Sequence, residues 1–316
     1  MWCCASQHSM NHRSRLWVTL ILPLVALFLW ESIATEESSF VRNKESPFGI
    51  TQRSRMKRNR IRAGTVGIVG YCVGEKYQDL NRLATYNHRA YADRYGYDVF
   101  QGNEEDVPEQ SFITPFAWLK ALYMYRLLSS PPPSRQEQAL SIEWFLWLDC
   151  DALVARFDKS VVEILDELHV QHHHHMVIAM DRSSPFNTGV IFMRNCQWSQ
   201  DLWKRALQSA SNDTVRHHKW WEQKALHDLY AQNLHNESHH IYVVKDRWKI
   251  NAFGGYNRGH TEFTNESYIW HRVHCVKPEC YNYSHAFFCS KTPKGTYPTE
   301  LCRDVPPWTP PNGTKM

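Results

Sequence analysis

Asp149 and Asp151 flank Cys150 at the end of the run EWFLWL. Two carboxylates two residues apart, leaving a buried strand, can reach a hard cation and the phosphate oxygens it carries. Mg²⁺ and Mn²⁺ suit oxygen ligands and bind phosphates through only one or two carboxylates. Such a cation would neutralise a departing diphosphate, which is Lewis-acid assistance to bond cleavage. An Asp-x-Asp triplet is also an ordinary way to open a turn, and the apolar strand before it is what favours the chemical reading. A second group lies in YIWHRVHCVKPEC, residues 268–280. His271 and His274 are three apart and Lys277 lies three beyond. A His there could complete a metal site with the aspartates, and Lys277 could hold a diphosphate as a point charge. The plainer alternative is a disulfide-tied surface loop. The chain has 18 His, so any one of them is weak testimony. His172 to His175 read as a solvated loop between a helix and a strand.

The elements that must position these residues alternate. TVGIVGYCVG, from Thr65, is a β-branched run ended by glycines, a strand and a tight loop. Asp79 to Tyr95 has helical spacing, with Gly96 to stop it. YDVF is a second strand. Phe116 to Leu128 is a helix ending before Ser129, Ser130 and three prolines. EWFLWL is a continuous apolar strand of the kind buried on both faces. VVEILDEL is a helix, MVIAM and GVIFM are strands, and Asp201 to Ser209 and Trp221 to Gln232 are helices. Strands alternating with helices predict an α/β fold with a mostly parallel sheet. Ligands of such sheets sit beyond the carboxyl ends of the strands.

The chain has 316 residues, 43% of them hydrophobic, with 13 Trp, 15 Tyr and 14 Phe. That suffices for a large folded domain, and the aromatics suit either a core or sugar rings. A net charge of +4 without a zinc-finger or other nucleic-acid motif gives no reason to expect a nucleic-acid partner. Leu16 to Trp30, LWVTLILPLVALFLW, is free of charge; extension to Ala34 takes in Glu31. Arg13 and Arg15 precede it and Glu31, Glu36 and Glu37 follow. The positive-inside rule then places the N-terminus in the cytosol and the rest in the lumen. The expected organisation is a cytosolic tail at 1–15, a signal-anchor at 16–34, a solvated basic stem at 35–63 and a lumenal domain at 64–316. A cleaved signal peptide with a site at Ser32-Ile33-Ala34 is the rival. Sequons at Asn212, Asn236, Asn265, Asn282 and Asn312 agree with a lumenal domain. So do Cys72, Cys150, Cys196, Cys275, Cys280, Cys289 and Cys302, an odd set whose pairing the sequence leaves open.

Several segments together resemble the family-34 glycosyltransferases, which include plant xyloglucan xylosyltransferases, galactomannan galactosyltransferases and fungal galactosyl- and mannosyltransferases. FNTGVIFMRNCQWSQDLW (186–203) resembles their NTG-x-F-L-x-RNCQWS-x-D segment, and WLDCDALV (147–154) their WLDSDA. VGEKYQDLNRLATYNHRAYADRYGYDVF (73–100), FAWLK (116–120), WEQKAL (221–226) and WHRVHCVKPEC (270–280) match further motifs in the same order, over about residues 65 to 290.

The resemblance implies a GT-A type, Rossmann-like mostly parallel sheet flanked by helices, behind an N-terminal transmembrane helix. It implies a retaining, metal-dependent transfer of a hexose or pentose, galactose or xylose favoured, from a nucleotide-sugar (a UDP-sugar favoured) to a glycan acceptor. The setting is the Golgi membrane, single-pass type II, with related transferases as candidate oligomer partners. Asp149, Asp151 and His271 would hold Mn²⁺ or Mg²⁺. Gln223, with Glu222 beside it, would be catalytic, near the anomeric carbon. Gly70, Lys120, Asn187, Thr188, Gly189, Asn251 and Lys277 would bind substrate. Departures are His274 where the family has Gly, an extra residue between Cys275 and Lys277, and Trp221 where plant enzymes carry an acid. The alternatives are an inverting transferase with Glu222 as general base, or an inactive lumenal partner that binds glycans.

Overall fold

The computed structural model describes residues 65–103, 106–107, 115, 117–254, 262–273 and 278–309. The tail, anchor and stem expected at 1–63 lie outside the described residues, as do His274, Cys275, Lys277 and Asn312. Among the described residues no helix is long and apolar enough to cross a membrane.

The strands are β1 (Val66–Tyr71), β2 (Asp98–Gly102), β3 (Trp144–Leu148), β4 (Ala152–Val154), β5 (Met176–Ala179), β6 (Asn187–Arg194), β7 (Ile241–Val244), β8 (Ala252–Phe253) and β9 (Ile269–His271). The helices are α1 (Gln78–Tyr95), α2 (Trp118–Ser129), α3 (Gln136–Ser141), α4 (Val161–Glu167), α5 (Gln197–Ser209), α6 (Asp213–Arg216), α7 (Trp221–Gln232), α8 (Glu237–His240) and α9 (Pro278–Lys291). The main sheet runs β2-β1-β3-β6-β5-β7. Every strand but β6 points the same way: β1 pairs in parallel with β2 and β3, β5 with β7, and β6 runs antiparallel to both β3 and β5. The expected mostly parallel sheet is there, and the reversal of β6 decides where the site forms. It brings the start of β6 to the rim at which β1 and β3 end.

Alternation along β3 builds both faces of this sheet. Phe145 and Trp147 join one buried cluster with residues of α2, α5 and α7. Trp144, Leu146 and Leu148 join another, with Tyr91 of α1 and Val161, Ile164 and Leu165 of α4. Helix α1 ends on Gly96 at φ 67, a left-handed cap that glycine adopts without a Cβ penalty. A capping box starts α4: the Ser160 side chain accepts from Glu163 N–H while Glu163 bonds back to Ser160 N–H. A second sheet, β4-β9-β8, packs on α9 through Trp270, which stacks on Phe287 at 4.3 Å. Sequence periodicity did not mark these short strands or α9.

His172 to His175 do form a loop, but only partly a solvated one. His173 stacks on His239 at 4.2 Å and His175 on His240 at 4.6 Å. Parallel pairing of Met176 with Ile241 brings the two segments side by side. Burial first, then the neighbouring rings, lowers His174 and His175 to about 4.

His88 of α1 is buried, and its Nε2 lies 2.9 Å from the Ala152 carbonyl, next to Asp151. That contact requires Nε2–H. Its Nδ1 is buried with no hydrogen-bond partner, so a second proton would be unpaired there. Burial lowers its pKa to about 4, against a raising contribution from the Ala152 bond. A folded pKa below the unfolded 6.5 means the unfolded chain binds the extra proton first. The stability is whole above 6.5 and lost as pH falls toward 4, on the order of 3 kcal/mol for this residue. Melting temperature is therefore expected to fall across that window. NMR should show the His88 ring neutral at pH 5 in the folded protein.

Candidate active site

Register makes the site. Leu148 of β3 faces Val190 of β6, so the next residue, Asp149, meets Gly189 and donates its N–H to the Gly189 carbonyl at 2.9 Å. The chain then turns, with Ala152 N–H to the Asp149 carbonyl at 2.9 Å, and enters β4. Antiparallel pairing of β4 with β9 sets Ala152 opposite His271. Arg272 N–H closes on the Asp151 carbonyl at 2.8 Å. Two carboxylates and an imidazole thereby converge: ligand atoms of Asp149, Asp151 and His271 all lie within 4.8 Å of one another. Asp149 and His271 line a cavity of about 940 Å³ with Tyr71 to Glu75, Tyr77, Asn187 to Gly189 and Lys219 to Gln223 among the other lining residues.

The state of His271 can be read from its neighbours. Gly189 N–H donates to Asn187 Oδ1 at 3.0 Å, and Asn251 Nδ2 donates to the same oxygen at 2.9 Å. Asn251 Oδ1 is therefore the atom left to face His271, 2.8 Å from Nδ1. An oxygen there needs Nδ1–H, which leaves the Nε2 lone pair pointing at Asp151 Oδ1, 3.2 Å away. Lone pair against carboxylate is repulsive, so a positive centre belongs between them: a second ring proton or a cation. A buried amide that fixes the tautomer is the usual support of a metal-bound histidine. Two carboxylates and one imidazole suit a dication such as Mn²⁺ or Mg²⁺, the imidazole tilting the set toward a first-row ion. The residues present fit the group.

Gly189 is part of the fit. A Cβ built on it would lie 2.0 Å from His271 Cε1. Gly189→Ala should push the ring off its Asn251 contact and cost about 1–3 kcal/mol of overpacking. Titration of Mn²⁺ followed by electron paramagnetic resonance should show at least tenfold weaker binding. Unchanged binding would mean His271 is not a ligand.

Asp149 is held on its other side. Trp147 Nε1–H donates to its Oδ1 at 2.7 Å, and Lys120 Nζ lies 2.9 Å from Oδ1. Lys120 also pairs with Glu222 at 3.1 Å and donates to the Thr188 carbonyl at 3.0 Å. Burial alone pulls the Lys120 pKa down, but the carboxylates of Asp149 and Glu222 outweigh it and the net shift is upward. Thr188 hydroxyl donates to Glu222 at 2.9 Å, and Thr188 N–H to Gln223 Oε1 at 3.0 Å.

Most residues expected in the site are brought together: Asp149, His271, Asn187, Thr188, Gly189, Lys120, Glu222 and Gln223 line that cavity, and Asp151 joins Asp149 and His271 behind it through its carboxylate. Gly70 and Asn251 are not in its wall either. Gly70 is buried within β1, and the Gln101 side-chain oxygen would lie 2.8 Å from a Cβ there. It makes room for Gln101 rather than for a ligand. Asn251 is fully buried and bonded to Asn187 and His271, so it orients the histidine instead of touching substrate. Lys277 lies outside the described residues. Sequence reading missed Trp147, although residues two apart on a strand share a face. It also missed Trp221 as a wall residue: its φ is 42, an outlier for a bulky side chain.

Comparison with known proteins points to one family. The profile of the galactosyl transferase GMA12/MNN10 family matches residues 69–281. The probable xyloglucan 6-xylosyltransferase 3 of Arabidopsis thaliana is 36% identical over 91 residues, 27% of this chain and 18% of that protein. Glycosyltransferase 6 of Arabidopsis thaliana is 29% identical over 125 residues, 36% of this chain and 25% of that protein. The matches thus span a quarter or less of these relatives' length. A crystal structure of a glycosyltransferase involved in the glycosylation of the major capsid of PBCV-1 covers 69% of this chain and 98% of its own, with TM-score 0.53 and 16% identity. That likeness speaks for the fold. With a family match running from β1 to the start of α9, across the β3–β4 turn and β9, this chain belongs to the galactosyl transferase GMA12/MNN10 family of glycosyltransferases.

Proposed function

We propose that the chain is a metal-dependent, retaining glycosyltransferase that moves a hexose or pentose, galactose or xylose favoured, from a UDP-sugar to a glycan acceptor. We place it in the Golgi lumen behind the 16–34 anchor. The described sequons Asn212, Asn236, Asn265 and Asn282 are all exposed, which agrees with that placement. The observation that carries the reading is the convergence of Asp149, Asp151 and His271, with ligand atoms within 4.8 Å of one another and with Asp149 and His271 on the wall of a cavity of about 940 Å³.

Bound between these three side chains, Mn²⁺ or Mg²⁺ would supply Lewis-acid stabilisation of the leaving diphosphate. The protein's own residues do the rest. Asn251 holds His271 with its Nε2 lone pair toward Asp151. Trp147 and Lys120 fix the Asp149 carboxylate before substrate arrives, so little reorganisation is left for the reaction. Gln223, whose amide oxygen is oriented by Thr188 N–H at 3.0 Å and lies 3.3 Å from the Thr188 hydroxyl, presents its side chain on the cavity wall toward the electron-poor sugar ring. Retention fits Glu222 better than inversion. An inverting enzyme needs a carboxylate base at the acceptor hydroxyl, and the Glu222 carboxylate is 5% exposed and bonded to Lys120 and Thr188.

A panel of nucleotide-sugars with Mn²⁺, read as released nucleotide, tests the activity, and product NMR tests the stereochemistry. Turnover of a UDP-sugar with the donor's anomeric configuration preserved is expected. A folded lumenal domain that turns over no donor, or gives the inverted anomer, overturns the proposal.

A further inference from the structure

We infer that the Cys72–Cys150 disulfide is a positioning element that couples the cation corner of the cavity to the adjoining wall formed by the loop after β1. The inference rests on the function proposed above. Cys150 is the residue between the two carboxylates, and Cys72 is the first residue after β1. The two are joined with Cα atoms 5.7 Å apart and a sequence separation of 78. That separation equals the offset that pairs Val66 with Trp144 across β1 and β3. The bond therefore keeps the parallel register three positions beyond the last paired residues, Val69 and Trp147, one residue past the end of β1 and two past the end of β3.

Strand ends of this kind normally release two independent loops. Here one loop, Val73 to Glu75 with Tyr77, lines the cavity, and the other is the Asp149–Ala152 turn. Backbone bonds tie that turn to β6, through Gly189, and to the end of β9, through Arg272. The disulfide ties it to the β1 side. Both sulfur-bearing residues are themselves lining residues. A nucleotide that orders the loop after Cys72 must then also restrict the backbone at Cys150, from which Asp149 and Asp151 emerge. The covalent link thus adds to the reciprocal coupling that the cation's own contact with the diphosphate would give.

The test is the coupling between two ligands, not activity. UDP binding is measured by calorimetry with and without Mn²⁺ on the oxidised lumenal domain, and Mn²⁺ binding by electron paramagnetic resonance with and without UDP. In the wild type, Mn²⁺ should tighten UDP by about tenfold or more. In Cys72→Ser/Cys150→Ser that ratio should fall several-fold. In Cys289→Ser/Cys302→Ser, which removes the other disulfide between described residues, it should hold.

Tris(2-carboxyethyl)phosphine breaks the Cys72–Cys150 bond without mutation, together with the Cys289–Cys302 bond and the one that Cys280 makes. Phosphorus attacks one sulfur, the S–S bond breaks, water passes its oxygen to phosphorus, and two protons finish on the thiols. Where the double serine variant does not fold, the Cys289/Cys302 variant reduced in this way decides, with loss of the Cys72–Cys150 bond checked by mass spectrometry. An unchanged ratio in a folded protein lacking the bond overturns the inference. Absence of both Mn²⁺ and UDP binding in the oxidised wild type overturns instead the function on which it rests.

Discussion

Asp151→Asn should lower kcat/KM by roughly a thousandfold while leaving the melting temperature almost where it was. The Asp151 carboxylate is 18% exposed and faces His271 Nε2 at 3.2 Å. That contact is a lone pair against an anion once Asn251 has claimed Nδ1–H. An amide in place of the carboxylate can turn its N–H toward Nε2, so the variant satisfies by itself the gap that otherwise needs a proton or a cation. Stability is therefore kept. Cation affinity is not, because one of two anionic ligands has gone and the third donor is now hydrogen-bonded. Loss of several kcal/mol of leaving-group stabilisation corresponds to about three powers of ten in rate. Steady-state kinetics with Mn²⁺, set beside Mn²⁺ titration and thermal melting, reads all three quantities. Normal turnover would remove Asp151 from the site, and a collapsed melting temperature would make it a structural acid.

Much of this site was legible before any coordinates. EWFLWL followed by two acids located the buried strand and the end from which the acids emerge, because a short continuous apolar run suits a strand covered on both faces. Trp221 to Gln232 was readable to the residue as α7. What escaped has a common cause: it depends on which strands neighbour each other. The reversal of β6 carries no periodicity signal, yet it sets Gly189 against Asp149 and leaves His271 Cε1 where a Cβ would be. The Cys72–Cys150 bond is unreadable from cysteine spacing and follows at once from the β1–β3 register. Asn251 read as a substrate contact because spacing cannot tell a ligand from the residue behind it. Strands of two or three residues, β4, β8 and β9, are too short for alternation to show.

Lys120→Met should be the most destabilising single change in the cavity wall. The Lys120 side chain is 12% exposed and the Glu222 side chain 5%, so little solvent reaches the pair to screen it. The ammonium sits between Asp149 and Glu222 and is held charged by them against burial, which would otherwise discharge it. A folded pKa above the unfolded value gives stability that is complete below the unfolded pKa of about 10.4 and lost only as pH rises beyond it. The pair is thus fully engaged at every pH where the protein works. Removing the cation leaves two carboxylates on one side of Thr188 with no counter-charge, and breaking a buried pair in this way costs about 3–5 kcal/mol. For a domain of this size that is a fall of about 10 °C in melting temperature. Glu222→Gln added to Lys120→Met should recover part of the loss, since an amide still accepts from the Thr188 hydroxyl and no longer buries an unpaired charge. Equal melting temperatures for the single and double variants would show that Glu222 does not depend on Lys120. Added Mn²⁺ should restore the single variant more than it shifts the wild type, because a dication beside Asp149 replaces the charge that the lysine supplied.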